Sequence, residues 1–252
     1  MRTISLIFSA LLLLFAGFGC EDCPPQPLET CGILPERPRV DLIVLIDASG
    51  SMQHAANTID TAAAIAIDSA LANCNTDLRV TWLGIDTTWV GTRFDSTHRQ
   101  YITRVQGGPV PLAVDVPPLP FPSEAGAHAI EDLSRYADWR RGACRAILYI
   151  SDEELDGSFP LADFANEDQA VADAIAAARA NKVAVFTNFL NYQLRNAQIM
   201  DNYNDLANQT GGFNQVTATR AEVTTDLYLD LMPRVICNAC AGCELSQLMP
   251  NN

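Results

Sequence analysis

Positive charge is scarce in this 252-residue chain. Lysine and arginine together number 16 against 30 aspartates and glutamates, leaving a formal net charge of −14. That balance argues against the basic surface that a phosphate backbone requires, so nucleic acid is not an expected partner. Histidine is scarcer still. The 3 present, His54, His98 and His128, share no ligand spacing and are expected at the surface. No internal repeat is visible, and no phosphate loop, Ser-His-Asp order or paired-cysteine redox motif stands out. The chain is therefore not expected to be an enzyme. Beyond its first twenty residues it has no apolar run long enough to cross a membrane.

What is present suits a globular protein: 48% hydrophobic and 18% charged residues, in a length that holds one well-buried domain with appendages. Residues 1–19 read as a signal peptide, with Arg2 before the leucine-rich stretch from Ile4 to Phe18. Gly17 and Gly19 flank Phe18 just ahead of Cys20. That is the setting of a bacterial lipoprotein signal with Cys20 acylated, although Gly17 and Phe18 depart from the usual residues there. Cleavage by an ordinary signal peptidase is the alternative. Either way the expected location is exported, as a cell-envelope lipoprotein or a secreted or periplasmic protein. The 8 cysteines (Cys20, Cys23, Cys31, Cys74, Cys144, Cys237, Cys240 and Cys243) then read first as disulfides.

Residues 20–39 form a Pro- and Cys-rich leader without periodicity, 40–236 the folded domain, and 237–252 a Cys-rich tail. Within the domain, strands are predicted at Val40–Asp47, Leu78–Ile85, Arg145–Ile150, Val183–Phe186 and Phe213–Val216. Helices are predicted at Met52–Asn73, Ala125–Ala137, Glu167–Ala180, Ala197–Gln209 and Ala221–Val235. Thr87–Arg104 reads as a β-excursion with Tyr101–Val105 as an edge strand. Gly107–Pro122 contains 6 prolines and is expected to be an irregular loop. Alternating strands and helices imply an α/β fold, doubly wound, with a mostly parallel central sheet and helices on both faces.

The chemistry concentrates in Asp41-Leu-Ile-Val-Leu-Ile-Asp47-Ala-Ser49-Gly-Ser51-Met52. An apolar strand stops on Asp47, and hydroxyl residues Ser49 and Ser51 follow at alternate positions. All three are hard oxygen donors, the ligands that Mg²⁺, Mn²⁺ and Ca²⁺ take. They lie where open α/β sheets bind ligands, at the C-terminal end of a strand. The pattern resembles the metal-ion-dependent adhesion site of von Willebrand factor type A domains, a resemblance that spans about Val40 to Val235.

That resemblance implies ligands from two further loops. Asp152, after Leu148-Tyr-Ile-Ser, matches the acid that follows the family's fourth strand, although Glu153 stands where glycine is common. Pro122-Ser123-Glu124-Ala-Gly126-Ala-His128-Ala129-Ile130 is similar to the integrin β-subunit version of the remaining loop. It implies Glu124 as a metal ligand, with Ser123 as a second or water-mediated one; a plain helix cap is the alternative. The second metal site of integrin β subunits needs acids where this chain has Gln53 and His54, so its absence is expected. The metal set is thus Asp47, Ser49, Ser51, Glu124 and Asp152 around one divalent cation, Mg²⁺ first and Mn²⁺ or Ca²⁺ as alternatives. The implied partner is a protein or extracellular ligand that brings an acidic group to the ion.

The fold also implies neighbouring termini, so the tail cysteines are expected to bond with Cys23 and Cys31, and Cys74 with Cys144. Two rival functions remain. One is a metal-assisted hydrolase or enzyme accessory, against which the chain offers no general base distinct from the ligands. The other is a scaffold with a structural metal.

Overall fold

A computed structural model describes residues 37–113, 124–156, 164–192 and 197–248. The chain divides into residues 1–36 and 37–252, and all described residues belong to the second unit. The predicted signal peptide, Cys20, the leader up to residue 36 with Cys23 and Cys31, most of the Pro-rich loop and Ser123 lie outside them.

The elements run β1 (Arg39–Ile46), α1 (Gln53–Cys74), β2 (Asp77–Gly84), α2 (His98–Gln106), α3 (Gly126–Tyr136), β3 (Cys144–Ser151), α4 (Phe164–Ala180), β4 (Val183–Leu190), α5 (Ala197–Thr210), β5 (Asn214–Thr217) and α6 (Thr225–Leu248). The five strands form one sheet in the order β2-β1-β3-β4-β5, and every neighbouring pair is parallel. This is the doubly wound α/β fold that the alternating elements imply.

β1 shows why the sheet lies buried on both faces. Side chains alternate across a strand. Val40, Leu42, Val44 and Ile46 join the core formed with α1 and α6, while Ile43 and Leu45 join the core under α3, α4 and α5. Each fully buried aliphatic side chain of this kind contributes roughly 1.5–3 kcal/mol. α1 presents Ala55, Ala56, Ala62, Ala66 and Ala70 to its core, small residues that let α1 and α6 pack side by side.

Four expectations need correction. Tyr101–Val105 is not an edge strand but lies within α2. Thr97 Oγ1 accepts from Gln100 N at 3.1 Å while Gln100 Oε1 accepts from Thr97 N at 3.2 Å, a capping box that starts a helix. Gly107, with φ 73°, ends it. Second, His98 is no surface residue: it is 0% exposed, and burial pushes its pKa down to about 3, so it is neutral.

Third, Cys74 bonds with Cys237 rather than Cys144, because the end of α1 meets α6 on the same side of the sheet. Cys237 is thereby not joined to the leader. Cys144 is disulfide-bonded too. Fourth, β4 continues to Leu190, beyond the predicted end at Phe186. α6 likewise runs through position 237 without a break.

Candidate metal centre at the switch point

From β1 the chain winds outward to β2 on one side, and from β3 through β4 to β5 on the other. The crevice where that direction reverses lies between the C-terminal ends of β1 and β3, the ligand-binding position of open α/β sheets. Asp47 follows β1 there and Asp152 follows β3. Asp47 N donates to Ile150 O at 3.0 Å, which carries the β1–β3 pairing one residue further and holds the two loops together.

The sequence-predicted residues Asp47, Ser49, Ser51 and Asp152 converge. Asp47 Oδ1 accepts from Ser49 N at 2.6 Å, which folds the loop back on the carboxylate. Ser49 Oγ and Ser51 Oγ are 2.9 Å apart, and Ser51 Oγ donates to Asp152 Oδ1 at 2.9 Å. Since Ser51 spends its proton on Asp152, Ser49 is the donor between the two hydroxyls. Met52 is 0% exposed and anchors the loop to the core, whereas Gly50 and Ser51 are exposed. The cluster thus has a solvent-facing edge of hydroxyls over a floor of buried carboxylates.

Ser151 belongs here as well and was missed. Its Oγ donates to Asp47 Oδ2 at 2.7 Å. A hydroxyl directly ahead of Asp152 was the available signal.

The electrostatics set Asp47 apart. It is fully buried, and burial pushes its carboxyl up to about 7, with the Ser49 and Ser151 donors pulling down and the Asp152 charge adding to the rise. A buried carboxylate within β1 itself is treated differently. Asp41, at the far end of β1, receives Arg79 at 2.8 Å and Arg140 at 2.7 Å. Asp47 has no ion-pair partner among the described residues, only neutral donors. A divalent cation would supply the missing charge, and the hard oxygens of Asp47, Ser49, Ser51 and Asp152 suit one.

Glu124 stands just ahead of α3, half-buried, and its backbone carbonyl accepts from Gly126 N at 2.7 Å and from Tyr149 Oη at 3.3 Å. Tyr149 is fully buried, and a Cβ at Gly126 would strike its ring, so glycine is required there. The carboxylates of Asp47, Glu124 and Asp152 do not lie within 4.8 Å of one another as a set. Among the described residues, the acids that do are Glu154, Asp156 and Glu167.

This second acidic group escaped sequence reasoning because α4 delivers Glu167 to the loop after β3. All three are buried, Leu155 N donates to Glu167 Oε1 at 3.3 Å, and burial pushes the Glu167 carboxyl up to about 6. Gln53 and His54 are both exposed, and His54 Nε2 lies 3.2 Å from Val223 O.

No family model matches this chain, and no curated protein matches it. Among solved structures, the chain is similar to a point mutant of the PilB minor pilin from Streptococcus sanguinis, with a TM-score of 0.49 and 9% sequence identity. The likeness covers 86% of this chain and 65% of that one, a little under two thirds of the pilin's length. At that level it bears on neither the site nor the function.

Proposed function

We propose that the chain is an exported binding module similar to von Willebrand factor type A domains. In this reading it holds one divalent cation, Mg²⁺ first, and uses it to capture an acidic group of a protein or extracellular ligand. The observation that carries it is Asp47: a fully buried carboxylate without a cationic partner among the described residues, joined through Ser49 and Ser51 to Asp152 at the switch point of the sheet.

When bound, the ion supplies an electrophilic position for an incoming carboxylate. The protein's own residues do the rest. Ser49 and Ser51 offer neutral oxygens, which leave an ion more electrophilic than carboxylates would. Asp47 and Asp152 would balance its charge. Ser151 holds Asp47 in orientation, and such supporting bonds tune metal affinity as ligands do. Glu124 is the proposed ligand from the loop before α3, an added carboxylate that would make the ion less attractive to an acidic partner. None of these groups is a base separate from the ligand set, which favours binding over hydrolysis.

A structural ion among Glu154, Asp156 and Glu167 is the second reading, favoured by their mutual approach within 4.8 Å. Calorimetric titration of the purified protein with Mg²⁺, Mn²⁺ and Ca²⁺ separates the two. One saturable site, lost in both Asp47→Ala and Glu124→Ala while the fold persists, is the expected result. Loss in Asp47→Ala alone gives the second-loop role to Ser123. Binding that survives Asp47→Ala but disappears in Glu167→Gln assigns the ion to the acidic group. No binding by the wild-type chain overturns the metal mechanism.

A further inference from the structure

An acidic ligand approaching this end of the sheet meets an unfavourable field. Asp47 and Asp152 would already offset a divalent charge, and Glu153, Glu154 and Asp156 follow in the same loop. Their repulsion reaches over roughly 8 Å at physiological salt. Capture of an acid here calls for a cation on the rim.

The segment after β5 places one there. Beyond Thr217 the chain makes a short 3-10 turn, Arg220–Glu222, before entering α6. The segment is fastened on two sides of the crevice. Asn191, just past the end of β4, donates its N–H to Thr217 O at 2.8 Å. On the other side Val223 O lies 3.2 Å from the ring of His54, on the first turn of α1 shortly after Ser51.

Arg220 is exposed on this turn. Its neighbour Glu222 is committed elsewhere, accepting from Ala218 N and Thr219 Oγ1 at 3.0 Å each. Arg220 forms no ion pair among the described residues. Half-buried Tyr192, next to Asn191, stands between the two: beyond burial, the Asp152 charge raises its hydroxyl and the Arg220 charge lowers it. Arg220 lies outside ion-pair reach of Asp152, so the group it takes is not the carboxylate held at an ion but another one farther along the ligand.

We propose that Arg220 pairs with a second carboxylate of the ligand, so that the site selects molecules carrying two carboxylates a few bonds apart over single acids. The guanidinium fork suits this task because it engages a carboxylate through two parallel hydrogen bonds. The inference rests on the metal-binding reading of the Asp47 site.

The test uses Mn²⁺ as the ion, with its binding to the full chain read first by electron paramagnetic resonance. Acetate and succinate are then titrated against the Mn²⁺-loaded protein, with water-proton relaxation reporting carboxylate binding. Succinate should bind the wild type about tenfold more tightly than acetate, the scale of one charge-assisted pair. Arg220→Ala should remove that preference without changing Mn²⁺ affinity, and Arg220→Lys should restore part of it. Equal affinities in the wild type, or a preference that survives Arg220→Ala, overturn the role of Arg220. Failure of Mn²⁺ to bind the wild type is seen before any acid is added, and it removes the underlying reading together with this one.

Discussion

Raising the pH of metal-free protein should cost it stability at Asp47, and adding Mg²⁺ should return what is lost. The sign follows from burial. With its folded value raised from 3.8 to about 7, the Asp47 carboxyl holds its proton more tightly in the folded chain than in the unfolded one. Its contribution is therefore fully present below the unfolded value and is lost as pH rises through the folded one. The whole loss is about 4 kcal/mol, of which roughly 3 kcal/mol falls between pH 5 and pH 8.

Three other carboxyls move the same way, Asp132 raised to about 7, Glu167 to about 6 and Glu131 raised as well, each chiefly by burial. The comparison with Asp47→Asn isolates Asp47, because the amide keeps an oxygen for Ser49 N and Ser151 can turn its hydroxyl to accept. With urea and EDTA, and a denaturant slope of about 2 kcal/mol per M, the wild-type midpoint should fall by roughly 1 M more than that of Asp47→Asn. With Mg²⁺ the ion replaces the proton, and its affinity should rise about tenfold per pH unit up to pH 7. Parallel pH dependence of wild type and Asp47→Asn in EDTA would refute the reasoning. So would a wild-type midpoint at pH 8 that ignores Mg²⁺.

At the other end of β1, Asp41→Ala should cost about 3 kcal/mol, the low end for a broken buried pair, because Arg79 and Arg140 stay 35% and 26% exposed and can rehydrate. A urea-measured loss under about 1 kcal/mol would mean that water already screens the pair. Gly126→Ala drives a methyl group into the Tyr149 ring, so it should cost about 1–3 kcal/mol and weaken metal binding by displacing neighbouring Glu124. Gly50→Ala, whose Cβ meets nothing within 4 Å, serves as its calorimetric control and should leave both unchanged. Cys74→Ala with Cys237→Ala opens a bridge between residues 163 apart, and non-reducing urea melts should show a loss of about 2–5 kcal/mol. An unchanged midpoint would show that the α1–α6 contact holds without the bond.

What could be read along the chain and what could not divide on a physical line. The clustering of Asp47, Ser49, Ser51 and Asp152 was legible because the first three lie in one loop, and an apolar strand ending on an acid leads there from either β1 or β3. The doubly wound sheet was legible because β1 and β3 are buried on both faces and read as continuous apolar runs. α2 was misread although its decisive signal is local: Tyr101, Ile102 and Val105 look like strand residues, but the Thr97–Gln100 capping box outweighs their intrinsic preference. His98, the Cys74–Cys237 bond and the Glu154–Asp156–Glu167 group carry no such local signal, since each depends on which helix lies over which. Those two acidic constellations therefore differ in kind. The Asp47 site can form once β1 and β3 pair, whereas the Glu167 group needs α4 docked as well. A metal that stabilises the first should raise global stability, and one held by the second should chiefly protect the α4 contact with the loop after β3. Hydrogen exchange along α4, with and without Mg²⁺, would therefore report which constellation the ion occupies even before any substitution is made.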